Sequence, residues 1–269
     1  MRKSTFVLLA SAVLGLGVIA AGCGGSDDTT PAASATGPAP TGPASIKVAS
    51  DIPYAPFEFT EAGSSDVLGF DVDVVKAVAA TFGTTDVTFT KRKFDTILLD
   101  VQQTRFDMAA SSITITPERA KTVAFSDPYF LANQSIMVKK GSAIKTEADL
   151  KGKTLGVQRG TTGATLAAKI TGTTLKQYEI IDDAFLALQN GRVEAVINDF
   201  PISAYATKSK PELAVVAQID TKESYGFAFS QENTSLRDLF NAGLTKIKAD
   251  GTYATIYKKW FNQDPPAGS

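Results

Sequence analysis

Leu98-Leu99-Asp100-Val101-Gln102-Gln103-Thr104-Arg105-Phe106-Asp107-Met108-Ala109-Ala110-Ser111-Ser112 can be laid over Phe185-Leu186-Ala187-Leu188-Gln189-Asn190-Gly191-Arg192-Val193-Glu194-Ala195-Val196-Ile197-Asn198-Asp199, with one gap position near the helix start. In both copies a helix ends, an Arg-apolar-acid turn follows, and a short apolar strand delivers two polar residues. In this register Ser112 corresponds to Asp199. The pattern predicts two related α/β lobes, each presenting polar groups at the carboxyl ends of its strands. Open α/β sheets bind ligands at those ends. Two lobes facing each other make a cleft, and such clefts close by hinge motion.

The alternation continues on either side. Ile46–Ser50 reads as a strand, Asp71–Phe82 has helical spacing and stops at Gly83, and Val87–Thr90 is a strand. Phe94–Gln103 is an amphipathic helix carrying Ile97, Leu98 and Val101, and Met108–Ala110 is a short buried strand. The pattern restarts with strand Thr154–Val157, the turn Gly160-Thr161-Thr162-Gly163, helices Ala164–Ile170 and Ala184–Asn190, and strand Ala195–Ile197. This rhythm predicts mostly parallel sheets covered by helices. Phe57 and Phe59 read as core residues.

Composition removes several classes of chemistry. The chain has 269 residues, a formal net charge of −1 and no histidine. Near-neutral charge gives no electrostatic basis for nucleic-acid binding. Without histidine there is no Ser-His-Asp or Cys-His catalysis and no histidine metal site. Cys23 is the single cysteine, so neither an intrachain disulfide nor a thiolate metal cluster can form. Nothing in the sequence asks for a metal or a cofactor.

A second stretch points to an anion. Ile113-Thr114-Ile115-Thr116-Pro117-Glu118-Arg119 reads as a strand ending at Thr114 and a helix starting near Thr116. Thr116 suits an N-cap and Pro117 the first helical position. Arg119 would then lie in the first turn, where the helix end is already partly positive. A cation there makes sense when an anion sits between it and the backbone N–H groups, with the guanidinium gripping a carboxylate. A solvated surface arginine is the alternative.

The N-terminus reads as a targeting signal over residues 1–22. Arg2 and Lys3 are its charged end, and Phe6–Ala21 is an apolar run short for a membrane span. Ala20-Ala21-Gly22-Cys23 resembles the lipobox of bacterial lipoproteins, with Ala20 where that pattern prefers Leu or another branched aliphatic residue. The resemblance implies lipidation of Cys23; a free thiol in an ordinary secretory signal is the alternative. Residues 23–44 are rich in Gly, Ser, Thr, Pro and Ala and read as a flexible tether. The folded part would then sit at the outer face of the cell membrane, or in a periplasm.

Six segments in order carry a family resemblance: Ser50–Phe59, Gly69–Asp73, Ile113–Arg119, Phe125–Phe130, Leu150–Lys153 and Gly251–Phe261. With them the chain resembles the extracellular solute-binding proteins of family 3, the amino-acid receptors of bacterial ABC importers. The resemblance implies a two-lobed, periplasmic-binding-protein-like fold (type II) with two hinge strands. Lobe 1 would comprise 45–130 and 226–263, and lobe 2 would comprise 131–225. It further implies a monomer that hands its ligand to a membrane permease and its ATPase.

Site roles follow from the same resemblance. Arg119 matches the arginine that clamps the ligand α-carboxylate, shared by the N–H and hydroxyl of Thr114 and by the N–H of Thr162. Asp199 matches the acceptor of the α-ammonium, with Ser112 beside it; a helix N-cap is the alternative for Asp199. Tyr54 and Phe94 match the aromatics that sandwich the ligand side chain. Asp51 matches the acid at the far end of that side chain. Gln158 stands where glutamine-selective relatives carry a lysine, and Ser111-Ser112 looks like receptors for basic amino acids. Arginine, lysine or ornithine is therefore the expected ligand, with glutamine second. Arg159 would oppose a cation if it pointed inward, but strand alternation turns it away. The rival from another class is an enzyme resembling cyclohexadienyl dehydratases, which use an acid in the same cleft.

Overall fold

The computed structural model describes residues 41–266. Cys23, the 1–22 segment and the tether up to residue 40 lie outside the described residues. The first run of elements is β1 (Ser45–Ser50), a small hairpin of β2 (Phe59–Thr60) and β3 (Val67–Leu68), α1 (Phe70–Thr81), β4 (Asp86–Lys91), α2 (Phe94–Gln102), β5 (Met108–Ala109) and β6 (Ala124–Phe125). A second run follows: β7 (Phe130–Lys139), β8 (Thr154–Gln158), α3 (Thr162–Ala168), β9 (Thr174–Tyr178), α4 (Ile181–Gln189), β10 (Ala195–Asp199), α5 (Phe200–Ala206) and β11 (Leu213–Tyr225). The chain then returns to the first sheet with β12 (Ala228–Phe229), α6 (Thr234–Ala249) and α7 (Thr252–Phe261).

Two five-stranded sheets result, ordered β4-β1-β5-β12-β6 and β11-β7-β10-β8-β9. The expected parallel core is present in each: β1 lies parallel to β4 and β5, and β8 parallel to β9 and β10. Antiparallel strands complete both sheets, β12 and β6 in one and β7 and β11 in the other. Both are therefore mixed rather than mostly parallel. Strands that carry the chain between sheets run back against the βαβ core, and the alternation pattern holds no information about them.

The internal repeat is visible in the backbone. Gln103 N–H donates to Leu99 O, Thr104 N–H to Val101 O and Arg105 N–H to Asp100 O; Asn190, Gly191 and Arg192 repeat this on Leu186, Leu188 and Ala187. Thr104 (φ 53°) and Gly191 (φ 69°) hold the same left-handed turn. The two acids of the turns also match, since Asp107 accepts from Lys47 N–H at 2.7 Å and Glu194 from Thr154 N–H at 2.9 Å. Each acid satisfies the start of the neighbouring parallel strand. Helices α2 and α4 begin at equivalent positions, so the overlay needs no gap.

Other expectations shift for local reasons. The helix expected near Thr116 is a single 3-10 turn, Arg119–Lys121, although Thr116 Oγ1 does accept from Arg119 N–H at 3.1 Å. The folded part begins before Ser45: Gly42 N–H donates to Phe82 O, and Pro43 O accepts from Thr84 Oγ1. Phe57 is fully buried, its ring 5.0 Å from Phe130 and 5.5 Å from Tyr225. Phe59, by contrast, is only partly buried, flanked by Tyr205 and Trp260.

The two chain crossings between sheets run side by side. Phe130 pairs with Tyr225 at the ends of β7 and β11, and Tyr129 N–H donates to Tyr225 O at 3.0 Å. Beside them Ile115 N–H donates to Ser224 O and Gly226 N–H to Ile113 O, which brings Thr114 against the second crossing.

Helix α1 depends on one glycine. Gly69 has φ 143°, and a Cβ there would lie 1.8 Å from Phe57 O. Gly69→Ala is expected to cost about 3 kcal/mol or more, from the clash and from the backbone strain. Urea denaturation checks this; a midpoint within error of the parent protein would contradict it.

Candidate functional site

The sequence-predicted residues converge where the carboxyl ends of β1, β5, β8 and β10 face one another. Asp51 follows β1 and is 2 % exposed. Its Oδ2 accepts from Gln158 Nε2 of β8 at 2.6 Å, so these two residues meet across the cleft. Gln158 Nε2 also donates to Glu179 O at 3.0 Å, and its Oε1 is buried without a partner. A cavity of about 280 Å³ opens beside Asp51, between Lys91, Lys93, Thr96 and Glu179. Arg159, one residue beyond the end of β8, is exposed, with Nη1 3.5 Å from Asp95 of the facing helix α2.

Asp199 ends β10. It stands at the N-cap position of α5 but makes no capping bond. Its carboxylate instead accepts from Tyr54 OH at 3.2 Å, from Tyr225 OH and from Gln134 Nε2. The side chain is thus turned into the cleft, where capping would have turned it onto its own helix. Tyr54 OH also donates to Asn198 Oδ1 at 3.2 Å.

Arg119 lies against the same cleft. Its Nη1 donates to Thr114 O at 2.8 Å and its Nη2 to Gly160 O at 3.0 Å. The guanidinium sits 5.3 Å from the centre of the Phe94 ring, a cation–π arrangement. Thr114 and Thr162 face each other with hydroxyls 3.5 Å apart, and both donate to Glu223 Oε2 at 2.8 Å.

Ser111 and Ser112 are placed differently from the others. Ser111 Oγ accepts from Asp51 N–H at 3.0 Å and donates to Glu58 Oε1 at 2.7 Å, so its hydroxyl supports Asp51 from below. Ser112 adopts φ 48°, and its N–H donates to Asp71 Oδ2 at 2.9 Å. Its hydroxyl is buried without a partner. Tyr129 OH donates to Asp71 at 2.7 Å, which closes this lower layer.

Burial dominates the electrostatics. It raises Asp51 from 3.8 to about 7, partly opposed by the Gln158 hydrogen bond. It raises Asp199 from 3.8 to about 6, opposed by Tyr225 and reinforced by Glu223. Asp71 rises to about 7 and Glu58 well above the carboxylate range, again from burial. Burial lowers Arg119, while Asp199 and Glu223 hold it up. Asp199 and Glu223 act on Arg119, while the carboxylates of Asp51, Asp71 and Asp199 are held by neutral donors. That is a negative site suited to a cation.

Several of these groups were not singled out from sequence. Gln134 could have been: it interrupts the apolar face Phe130, Ala132, Ile136, Val138 of β7. Glu58, between Phe57 and Phe59, reads as ordinary apolar–polar alternation and carries no such signal. Glu223 in Lys222-Glu223-Ser224 reads as a solvated charge, and Tyr225 reads as core.

Among the described residues no helix is long and apolar enough to cross a membrane. Residues 46–263 match the profile of the bacterial extracellular solute-binding proteins, family 3. The chain is 34 % identical over 216 residues to ABC transporter arginine-binding protein 1 of Escherichia coli (strain K12), covering 78 % of this chain and 88 % of that one. It resembles the structure of an ancestral arginine-binding protein bound to glutamine, with a TM-score of 0.79, 37 % identity and coverage of 82 % and 99 %. An ancestral amino-acid-binding protein described as a precursor of cyclohexadienyl dehydratase matches with a TM-score of 0.76, 37 % identity and coverage of 81 % and 96 %. The two-lobed fold and the six ordered segments are those of this group, and the chain belongs to the bacterial extracellular solute-binding proteins, family 3.

Proposed function

We propose that the protein is the substrate-binding lipoprotein of an ABC transporter that captures a free basic amino acid, arginine, lysine or ornithine, and delivers it to a membrane permease. The observation that carries this reading is the pair of buried acids, Asp51 and Asp199, whose carboxylates are hydrogen-bonded to neutral donors, with Arg119 acting on Asp199 and Lys91 on Asp51 through space. Buried carboxylates with raised pKa values gain most from a bound cation. Asp199 takes the α-ammonium, Arg119 with the Thr114 and Thr162 N–H groups takes the α-carboxylate, and Tyr54 and Phe94 flank the side chain. Asp51 takes the distal cation, and Gln158, being neutral, does not repel it. The lobe assignment follows the chain crossings near Tyr129 and Tyr225. Lobe 1 (45–130 with 226–263) binds the head group first, and lobe 2 (131–225) then closes over it. Cys23 supplies the lipid anchor at the outer face of the membrane.

Glutamine is the second reading, and one contact favours it. Asp51 already accepts an amide N–H, from Gln158, so a ligand amide could take the same place. An enzyme is the third: burial raises the cleft acid Asp51 to about 7, the range that suits a general acid. Product formation from prephenate or arogenate would establish it.

Calorimetric titration of the refolded, ligand-stripped protein against the common amino acids plus ornithine is the direct test. Arginine or lysine should bind tightest. Arg119→Ala should weaken that binding about 100-fold or more while leaving circular dichroism unchanged. Retained affinity would remove the carboxylate assignment.

Proton linkage gives a second test. A bound cation favours the ionised acids, so below about pH 7 binding releases protons from Asp51 and Asp199. Arginine affinity should fall about tenfold or more between pH 7.5 and 5.5. Titration at pH 6 in buffers of different ionisation heat should show net proton release; net uptake would contradict the assignment.

Without added amino acid, stability follows the opposite trend. The folded-state values of Asp51 and Asp199 lie above the unfolded value of 3.8, so their stabilisation is complete below about pH 4 and is lost as pH rises through 6 to 7. Asp51→Asn should therefore stabilise the ligand-free protein at pH 8 by about 1–3 kcal/mol, and should bind arginine far more weakly. Thermal melts at pH 5 and pH 8 check the sign.

A further inference from the structure

We propose that Glu223 is an interlobe latch: its carboxylate, carried on the β11 crossing strand, holds the cleft closed by accepting the hydroxyl protons of both Thr114 and Thr162. Both donors reach the same oxygen, Oε2, at 2.8 Å. Gln134 Nε2 adds weaker contacts, 3.3 Å to Oε2 and 3.4 Å to Oε1.

The strand is shaped to make this contact. Pairing of β11 with β7 shifts register between Ile219 and Glu223, and Lys222 within that irregularity has φ 52°. A bulge of this kind re-aims the side chains that follow it. Glu223 and Tyr225, two residues apart, then share one face of the strand. Tyr225 OH reaches Asp199 and Glu223 reaches the two threonines, so one face of the crossing strand touches both walls of the cleft.

A hydroxyl carries a single proton. Given to Glu223, the protons of Thr114 and Thr162 do not serve a ligand carboxylate. Each threonine therefore has two separable parts, a hydroxyl for closure and an N–H for the ligand. The Thr114 N–H is left over by its bridge with Tyr225, whose hydrogen bonds run through Ile115 and Gly226. Glu223 sets how long the cleft stays closed, and it does so before any amino acid binds.

The ligand-release part rests on the proposed amino-acid site; the closure part does not, and the experiment separates them. In the full chain without added amino acid, amide hydrogen exchange is followed in peptides covering Ile113–Thr116 and Gly160–Gly163. Arginine release is measured separately by stopped flow. Glu223→Ala should speed exchange in both peptides, and arginine release, about tenfold, leaving peptides of α6 unchanged. Thr114→Val with Thr162→Val keeps both N–H groups and should give the same exchange, with no further increase when Glu223→Ala is added. Glu223→Gln, which keeps an acceptor oxygen and nearly the same volume, should fall between parent and alanine variant. Parent-like exchange in Glu223→Ala, or effects of the glutamate and threonine variants that multiply independently, would overturn the latch. If the parent binds no amino acid while Glu223→Ala still speeds exchange, the latch stands and the ligand reading falls.

Discussion

Carboxylates held out of water without a matching number of cations are the constraint around which the cleft is organised. Asp51, Glu58, Asp71 and Asp199 are each under a tenth exposed. An ionised carboxylate in such a place is costly unless it is paired or richly hydrogen-bonded. The partners observed are neutral: Gln158 at Asp51, Ser111 at Glu58, two tyrosines and Gln134 at Asp199, a tyrosine and the Ser112 N–H at Asp71. Neutral donors fix the positions of the acids without cancelling their charge. The negative potential is kept for something that arrives from outside.

The crossing strands join the two sheets side by side. Phe130 and Tyr225 pair where the chain passes between sheets, and their rings stack on each other and meet the buried Phe57 edge-on. Beyond this aromatic block the cleft groups meet through hydrogen bonds, such as Gln158 to Asp51 and Arg119 to Gly160, and through exposed ion pairs, Lys93 with Glu179 and Arg159 with Asp95. Each is modest in net worth and can be exchanged for a ligand contact at little cost.

Much of this was legible in sequence. The repeat around Arg105-Phe106-Asp107 and Arg192-Val193-Glu194 carries local chemistry, a helix end, a left-handed residue and a strand-capping acid, so it could be read without a structure. The parallel cores followed for the same reason. The antiparallel β7 and β11 did not, because their pairing spans much of the chain and no local periodicity encodes it. Arg119 was found through its misfit with a helix start, although the helix is only one turn. Glu223 was missed because a lysine beside it makes the pair look solvated, and only the bulge in β11 turns the glutamate inward.

The repeat also explains how one device serves two charges. Ser112 and Asp199 occupy the same backbone slot, one after β5 and one at the end of β10. At the first slot the chain bends through φ 48°, and its N–H is taken by the buried Asp71. The segment can then run on to Thr114 and Arg119, which are suited to an anion. At the second slot the strand continues straight and ends in a carboxylate turned into the cleft, suited to a cation. Arg119, before β6 of the first sheet, and Asp199, at the end of β10 of the second, thus bring opposite charges to one place, and two similar strand-ends serve both signs because one bends and the other runs straight.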